Sequence, residues 1–253
     1  MVIINNGKKA LIIGINYTGT SSELNGCIND AENIKKELLK RSYLLENIVT
    51  LTDETEKKPT RSNILMELLG LVLSGEKRLF FHYSGHGSYI RNINGYENDG
   101  WDECLVPIDY EKSGMVLDDE IRGVLCSLTE GQSLTCLLDC CHSGTGVDLA
   151  YNLYERYGGR YLTMKKDSRC KITRGNCVMF SGCTDDDTST DAYTGGKYQR
   201  AMTHSFLKAL EQGSKTYKEL IRNIRKNLKD GRYSQVSQLS SGQKLNLRSK
   251  FIL

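Results

Sequence analysis

Within its 253 residues the chain has no apolar run approaching the ~20 residues that a membrane-spanning helix needs. Its opening segment, Met1 to Lys9 (MVIINNGKK), lacks the ordered charged, apolar and cleavage regions of a signal peptide. These absences set a cytoplasmic location as the expectation, with the nucleus as an alternative, and exclude a membrane partner from it. Paired CxxC spacing is missing too, which removes the common zinc modules. The nine cysteines (27, 104, 126, 136, 140, 141, 170, 177 and 183) are odd in number, and a disulfide framework suits a chain of this length poorly without a secretion signal. Most read as reduced, buried thiols that behave as small hydrophobes. A pairing of Cys170 with Cys177 in a polar stretch stays open beside the preferred free-thiol reading. No repeat, low-complexity tract or linker divides the sequence. A 39% hydrophobic and 26% charged composition describes a single globular unit spanning 1–253.

The net charge of +3 hides an asymmetry. Lys197 to Lys250 holds 13 Lys/Arg against 3 Asp/Glu, which leaves the rest of the chain net acidic. A basic helical end reads as a solvated face, so no nucleic-acid partner is expected. Lys8 to Asn16 is apolar on both faces, as a central parallel strand must be. Strands are also expected at 48–51, 77–83, 133–138, 177–181 and 244–252. Helical stripes lie at 26–42, 60–73, 117–128, 202–210 and 217–228. Between them, 158–175 is polar and basic and reads as an exposed loop separating a larger part (1–157) from a smaller one (176–253). Alternating strands and helices predict an α/β fold with a mostly parallel sheet covered on both faces.

Two stretches carry the chemistry. In His82-Tyr-Ser-Gly-His86-Gly-Ser88 a histidine follows a glycine at the end of a buried strand. In Asp139-Cys-Cys-His-Ser-Gly144 a cysteine stands at the end of another. Ligands of such sheets bind beyond the carboxyl ends of the strands, where both stretches fall. A thiolate attacks carbonyls and needs a base for its proton. Side chains alternate along a strand, so if Cys141 faces the cleft, Asp139 does too, and Cys140 points into the fold. By the same rule Ser84 accompanies His86. Taken singly, each residue has an ordinary packing role. A zinc cluster of Cys140, Cys141, His142 and His86 is disfavoured, because adjacent cysteines suit tetrahedral ligation poorly. The pattern is that of a cysteine peptidase.

HYSGHGS and DCCHSG, with GINY near the start and FSGCTDDDTS at 180–189, closely resemble the metacaspases, caspase-like cysteine peptidases, from Lys9 to about Leu247. The resemblance implies a caspase-like three-layer α/β/α sandwich and a Cys–His dyad of Cys141 and His86. Backbone N–H groups of Gly87 and Cys141 would form the oxyanion site. It further implies cleavage after Arg or Lys, with Cys27, Asp30, Ser84 and Asp139 forming the pocket for that side chain. Buried carboxylates would pair there with a guanidinium or ammonium. Calcium is the implied cofactor, at Asp102, Asp118, Asp119 and Asp148, with Asp99 and Glu103 as near alternatives to Asp102. Protein or peptide substrates, a monomeric state and self-cleavage in 158–175 (at Arg160, Lys165, Lys166, Arg169 or Arg174) complete the expectation. A compact core without a prodomain is the matching subtype. Two departures stand out: Arg200 replaces the usual Gly before Ala-Met-Thr, and Ser237 replaces the usual Pro of the QxPQLS segment. A legumain-like peptidase fits the cysteine context less well. A catalytically silent scaffold is the alternative from another class, and retention of His86, Cys141 and both pocket aspartates argues against it.

Overall fold

The structure, a computed structural model, describes residues 6–91, 101–140, 149–156, 161–183, 191–194 and 197–253. Strand β1 (Lys8–Gly14) is buried from Ala10 onward, as its two apolar faces require. Helix α1 (Cys27–Lys40) follows, its first orphan donors satisfied by Asn16 Oδ1, which accepts from the N–H groups of Cys27 and Ile28 at 3.0 and 3.3 Å. Strand β2 (Ile48–Thr52) leads to helix α2 (Arg61–Val72), where the Thr60 hydroxyl caps the Asn63 N–H. Then come β3 (Arg78–Ser84), β4 (Gly87–Arg91) and β5 (Trp101–Leu105). The short helix α3 (Tyr110–Ser113), β6 (Val116–Leu117), α4 (Asp118–Leu125) and β7 (Ser133–Asp139) follow. Strands β8 (Tyr151–Arg156), β9 (Tyr161–Lys166) and β10 (Asn176–Cys183) precede a hairpin of β11 (Asp191–Thr194) and β12 (Lys197–Arg200). Helices α5 (Ala201–Glu211) and α6 (Tyr217–Asp230) and strand β13 (Val236–Ser241) finish the fold.

Among the described residues the main sheet has eight strands, in the order β2-β1-β3-β7-β10-β13-β8-β9. The run from β2 to β10 is parallel, and β13, β8 and β9 extend it antiparallel. Alternation splits each strand between two cores. Leu11 and Ile13 join α2 and α4 on one face, while Ala10 and Ile12 join α1, α5 and α6 on the other. This is the three-layer α/β/α sandwich with a mostly parallel sheet. No helix among the described residues is long and apolar enough to cross a membrane.

Two local expectations are corrected. The segment 158–175 is no continuous exposed loop, because it contains β9, paired along its length with β8. Leu162 and Met164 pack on the second core while Lys165 lies over the Tyr154 ring, a period of two that the surrounding charges obscure. Residues 158–160 lie outside the described ones. The last strand is not 244–252 but Val236–Ser241. That mostly polar segment, with Leu239 its one side chain in the hydrophobic core, is held by ladder bonds between β10 and β8, and 244–252 contributes a single bridge from Lys250 to Thr216. Cys177 lies in β10, within the strand expected at 177–181, and is a buried free thiol.

Candidate active site

The carboxyl ends of β1, β3 and β7 lie level, with Gly14 opposite Ser84 and Ser84 opposite Asp139. Both sequence motifs are therefore delivered to one edge of the sheet. After β3 the chain turns through Gly85, where a Cβ would stand 2.7 Å from the Tyr83 hydroxyl oxygen and 3.1 Å from that of Tyr17. Only glycine lets the backbone pass so close to these two phenols. His86 follows immediately.

The backbone of His86 is clamped. Its N–H donates to the Tyr17 hydroxyl at 3.0 Å, and its carbonyl accepts from the Tyr83 hydroxyl at 2.7 Å and from Val106 N–H at 3.1 Å. Tyr17 in turn donates to the Val106 carbonyl at 2.7 Å. Burial raises the pKa of both phenols, so they remain neutral donors. The His86 ring packs against Tyr17, centroids 4.8 Å apart, and its Nε2 lies 2.8 Å from the Ser22 carbonyl. A carbonyl can only accept, so Nε2 carries a proton and the neutral ring keeps its lone pair on Nδ1. Tyr17 holds this place with a left-handed backbone, φ 52°.

Beside this turn β7 ends at Asp139. Cys140 is buried in the core formed with α2 and α4, on the face opposite Asp139, as strand alternation predicts. Cys141 lies outside the described residues. Gly87 opens β4, opposite Leu105.

Cys27, Asp30, Ser84 and Asp139 do converge, all fully buried on the face covered by α1 and α5. The Ser84 hydroxyl donates to Asp30 at 2.9 Å, and Thr203 N–H, in the first turn of α5, donates to Asp139 at 2.6 Å. Burial pushes both carboxyl groups above the usual range; for Asp30 the neighbouring Asp139 charge adds to it. Burial likewise pushes the Cys27 thiol up to about 12. Arg200 completes the group. Its side chain is fully buried, Nε lies 3.6 Å from Asp139 Oδ1 and Nη1 lies 3.9 Å from Cys27 Sγ. Its own N–H donates to the Asp30 carboxylate at 3.2 Å.

The expected calcium ligands are brought together only in part. Asp102 on β5 and Asp118 at the start of α4 are buried, and both raise the pKa of Cys104, which burial above all pushes up to about 11. Asp119 is exposed and pairs with Arg122 at 3.9 Å. Among the described residues no group of three His, Cys, Asp or Glu side chains forms a metal site, and Asp148 and Asp99 lie outside them. Two buried carboxylates are hard oxygen donors, and that chemistry fits calcium.

Sequence reasoning missed Tyr17, Tyr83, Ser22 and the part played by Arg200. Tyr17 was within reach, since GINY is one of the motifs. The Ser22 contribution is a backbone carbonyl, which no side-chain pattern can announce.

A sequence model of the family described as "Metacaspase, peptidase C14 domain" matches residues 8–150. Metacaspase-1 of Eremothecium gossypii is 36% identical over 97% of this chain, covering 66% of that protein. Metacaspase-1 of Saccharomyces cerevisiae is 34% identical over 97% of this chain, covering 69% of that protein. The chain thus spans about two thirds of the length of these relatives. Among solved structures, a Geobacter sulfurreducens protein superposes with a TM-score of 0.68 at 21% identity, covering 96% of this chain and 97% of its own. The Drosophila initiator caspase Dronc superposes with a TM-score of 0.57 at 8% identity, covering 97% of this chain and 82% of its own. At such identities these two likenesses concern the fold alone, a caspase-like sheet with helices on both faces. With the family's sequence model spanning more than half of the chain, and relatives matching nearly all of it, the chain belongs to the metacaspase family.

Proposed function

We propose that this protein is a cysteine endopeptidase that cleaves after Arg or Lys, using Cys141 as nucleophile and His86 as base. The observation that carries the reading is the clamped His86, its Nε2 committed to the Ser22 carbonyl, at the tip of the strand beside the one that leads to Cys141. In the reaction, Cys141 Sγ attacks the scissile carbonyl carbon and its proton passes to His86 Nδ1. The displaced electron pair rests on the carbonyl oxygen, where N–H groups of Gly87 and Cys141 would receive it. Collapse expels the amine, which takes the proton from His86 and leaves a thioester. Water, deprotonated by His86, then hydrolyses the thioester and regenerates the thiolate. The buried carboxylates of Asp30 and Asp139 favour a cationic side chain in the adjoining pocket.

Calcium would be held by Asp102 and Asp118, with Asp119 and Asp148, and would neutralise carboxylates that otherwise repel one another. Asp119 would have to leave Arg122 to take part. Self-cleavage would fall at Arg169 or Arg174, exposed outside the ladders, rather than at Lys165 or Lys166, which β9 pairs to β8. We expect a monomer.

The deciding experiment compares wild type and Cys141→Ala on peptide amides ending in Arg, Lys, Asp or Asn, with calcium and with chelator. Hydrolysis after Arg and Lys by the calcium-loaded wild type alone supports the reading. Efficient cleavage after Asp, or no hydrolysis of any peptide, refutes it and, in the second case, favours a silent scaffold. Calorimetric calcium binding that Asp118→Asn weakens and magnesium does not reproduce tests the ion independently of activity. N-terminal sequencing of incubated enzyme locates the cut, which Cys141→Ala should not show.

A further inference from the structure

Two carboxylates that are fully buried, with the charge of Asp139 raising the proton affinity of Asp30, need a cation to remain charged together. Here the chain supplies one itself. Arg200 stands where β12 meets α5, its backbone N–H on Asp30, its Nε facing Asp139 and its Nη1 facing Cys27. Those three, with Ser84, are the residues read above as the pocket for the substrate's basic side chain. We infer that Arg200 is the specificity-determining residue of this pocket: its guanidinium is an internal occupant that a substrate Arg or Lys must displace before it can reach Asp139 and Asp30.

The inference rests on the pocket assignment made under Proposed function and adds a limit to it. A second cation entering beside a resident guanidinium would meet like charge in a site shielded from water, where repulsion is little screened. The Arg200 side chain is wholly buried, so its charge is itself shielded from water. Basic substrates therefore bind this chain weakly for an acidic pocket, and the penalty falls on binding rather than on the bond-breaking step. A purely structural Arg200, tying α5 to α1, would affect stability without distinguishing one substrate side chain from another.

The test uses the full chain with calcium and compares wild type, Arg200→Gly and Arg200→Lys. Peptide amides with Arg, Lys or Gln before the scissile bond are hydrolysed, and benzamidine, a small amidinium probe, is titrated calorimetrically and in thermal unfolding. Arg200→Gly should lower KM for the Arg and Lys peptides by about tenfold or more, the order expected from removing a competing buried charge, with kcat and the Gln peptide much less changed. Benzamidine should bind and raise the unfolding midpoint of Arg200→Gly but not of wild type, while Arg200→Lys should behave as wild type does. An unchanged or raised KM for Arg peptides in a folded Arg200→Gly, or its failure to bind benzamidine, would overturn the inference. If Arg200→Gly does not fold, wild type alone decides, because saturable benzamidine binding with Arg200 in place is equally fatal and its absence supports the plug. Benzamidine binding confined to Arg200→Gly, with no protein hydrolysing any peptide, would leave this inference standing and refute the peptidase reading instead.

Discussion

Around His86 the polar groups are neutral: two tyrosine hydroxyls, the N–H groups of His86 and Val106, and the carbonyls of His86, Val106 and the exposed Ser22, matched donor to acceptor. Across the same strand ends, under α1 and α5, the buried polar groups are ionisable: Asp30, Asp139 and Arg200. A neutral network has little desolvation to offset and mainly holds geometry. A charged cluster is expensive unless compensated, and the compensating ion can be exchanged for another of the same sign. The first region suits a group that must stay in one orientation through a reaction. The second suits a site that recognises, or is denied to, a cation. His82 sharpens the contrast, because it lies four residues before His86 on the same motif yet is fully buried, with Nε2 3.2 Å from the Thr203 hydroxyl. Burial pushes its pKa down to about 3 and keeps it neutral.

The largest effect should come from the oriented base. His86→Ala should lower kcat/KM by about 10²–10⁴, the usual contribution of a positioned base, with the unfolding midpoint nearly unchanged. A large loss of stability instead would show that the ring serves the fold. Next, Arg200→Gly should destabilise the protein by about 3–5 kcal/mol at neutral pH, since two buried carboxylates lose their cation. Because Arg200 lowers both carboxyl pKa values against the rise that burial causes, its loss raises them further, so the deficit should be full above the variant's values and shrink as acid neutralises the pair. Denaturant unfolding across pH would reveal it, and a deficit independent of pH would break the comparison.

On the neutral side, Tyr83→Phe removes a donor to the His86 carbonyl and should cost about 1–3 kcal/mol while reducing kcat more than it alters KM. His82 predicts an acid sensitivity of its own. The unfolded chain takes up this proton near pH 6.5 and the folded one only near 3, so stability is lost as pH falls through that interval. The slope should approach about 1.4 kcal/mol per pH unit, and it should flatten in His82→Gln. The smallest effect belongs to Cys140→Ala, expected to cost about 1 kcal/mol while leaving turnover intact, as suits a side chain in the core opposite Asp139. Lost activity there would reopen the choice between Cys140 and Cys141.

Much of the scaffold was legible locally. β1, β3 and β7 are apolar runs with both faces buried, and α1, α2, α5 and α6 carry stripes at helical spacing, so backbone geometry writes these elements into neighbouring residues. Strands without that signature were missed or misplaced. Val236–Ser241 is mostly polar and belongs to the sheet because β10 and β8 bond its backbone on both sides, while β9 hides Leu162 and Met164 among charges. At the site, the residue types of the acidic pocket came from motif resemblance, and the burial of Cys140 followed from alternation along one strand.

By itself, then, the sequence determined the order of the apolar core strands and their helices, the two strand ends that lead to His86 and Cys141, and the family to which the chain belongs. Tertiary structure alone decided that Ser22 offers its carbonyl to His86 and that Tyr17 and Tyr83 clamp the turn. It alone decided that the Arg200 N–H reaches Asp30, 170 positions away, with the guanidinium buried beside Asp139 and Cys27. Periodicity records which way a side chain points from its own element. Contacts between distant elements depend on how those elements pack, and an arginine written as a local departure becomes the partner of two buried carboxylates only when α1, β3, β7 and α5 meet around it.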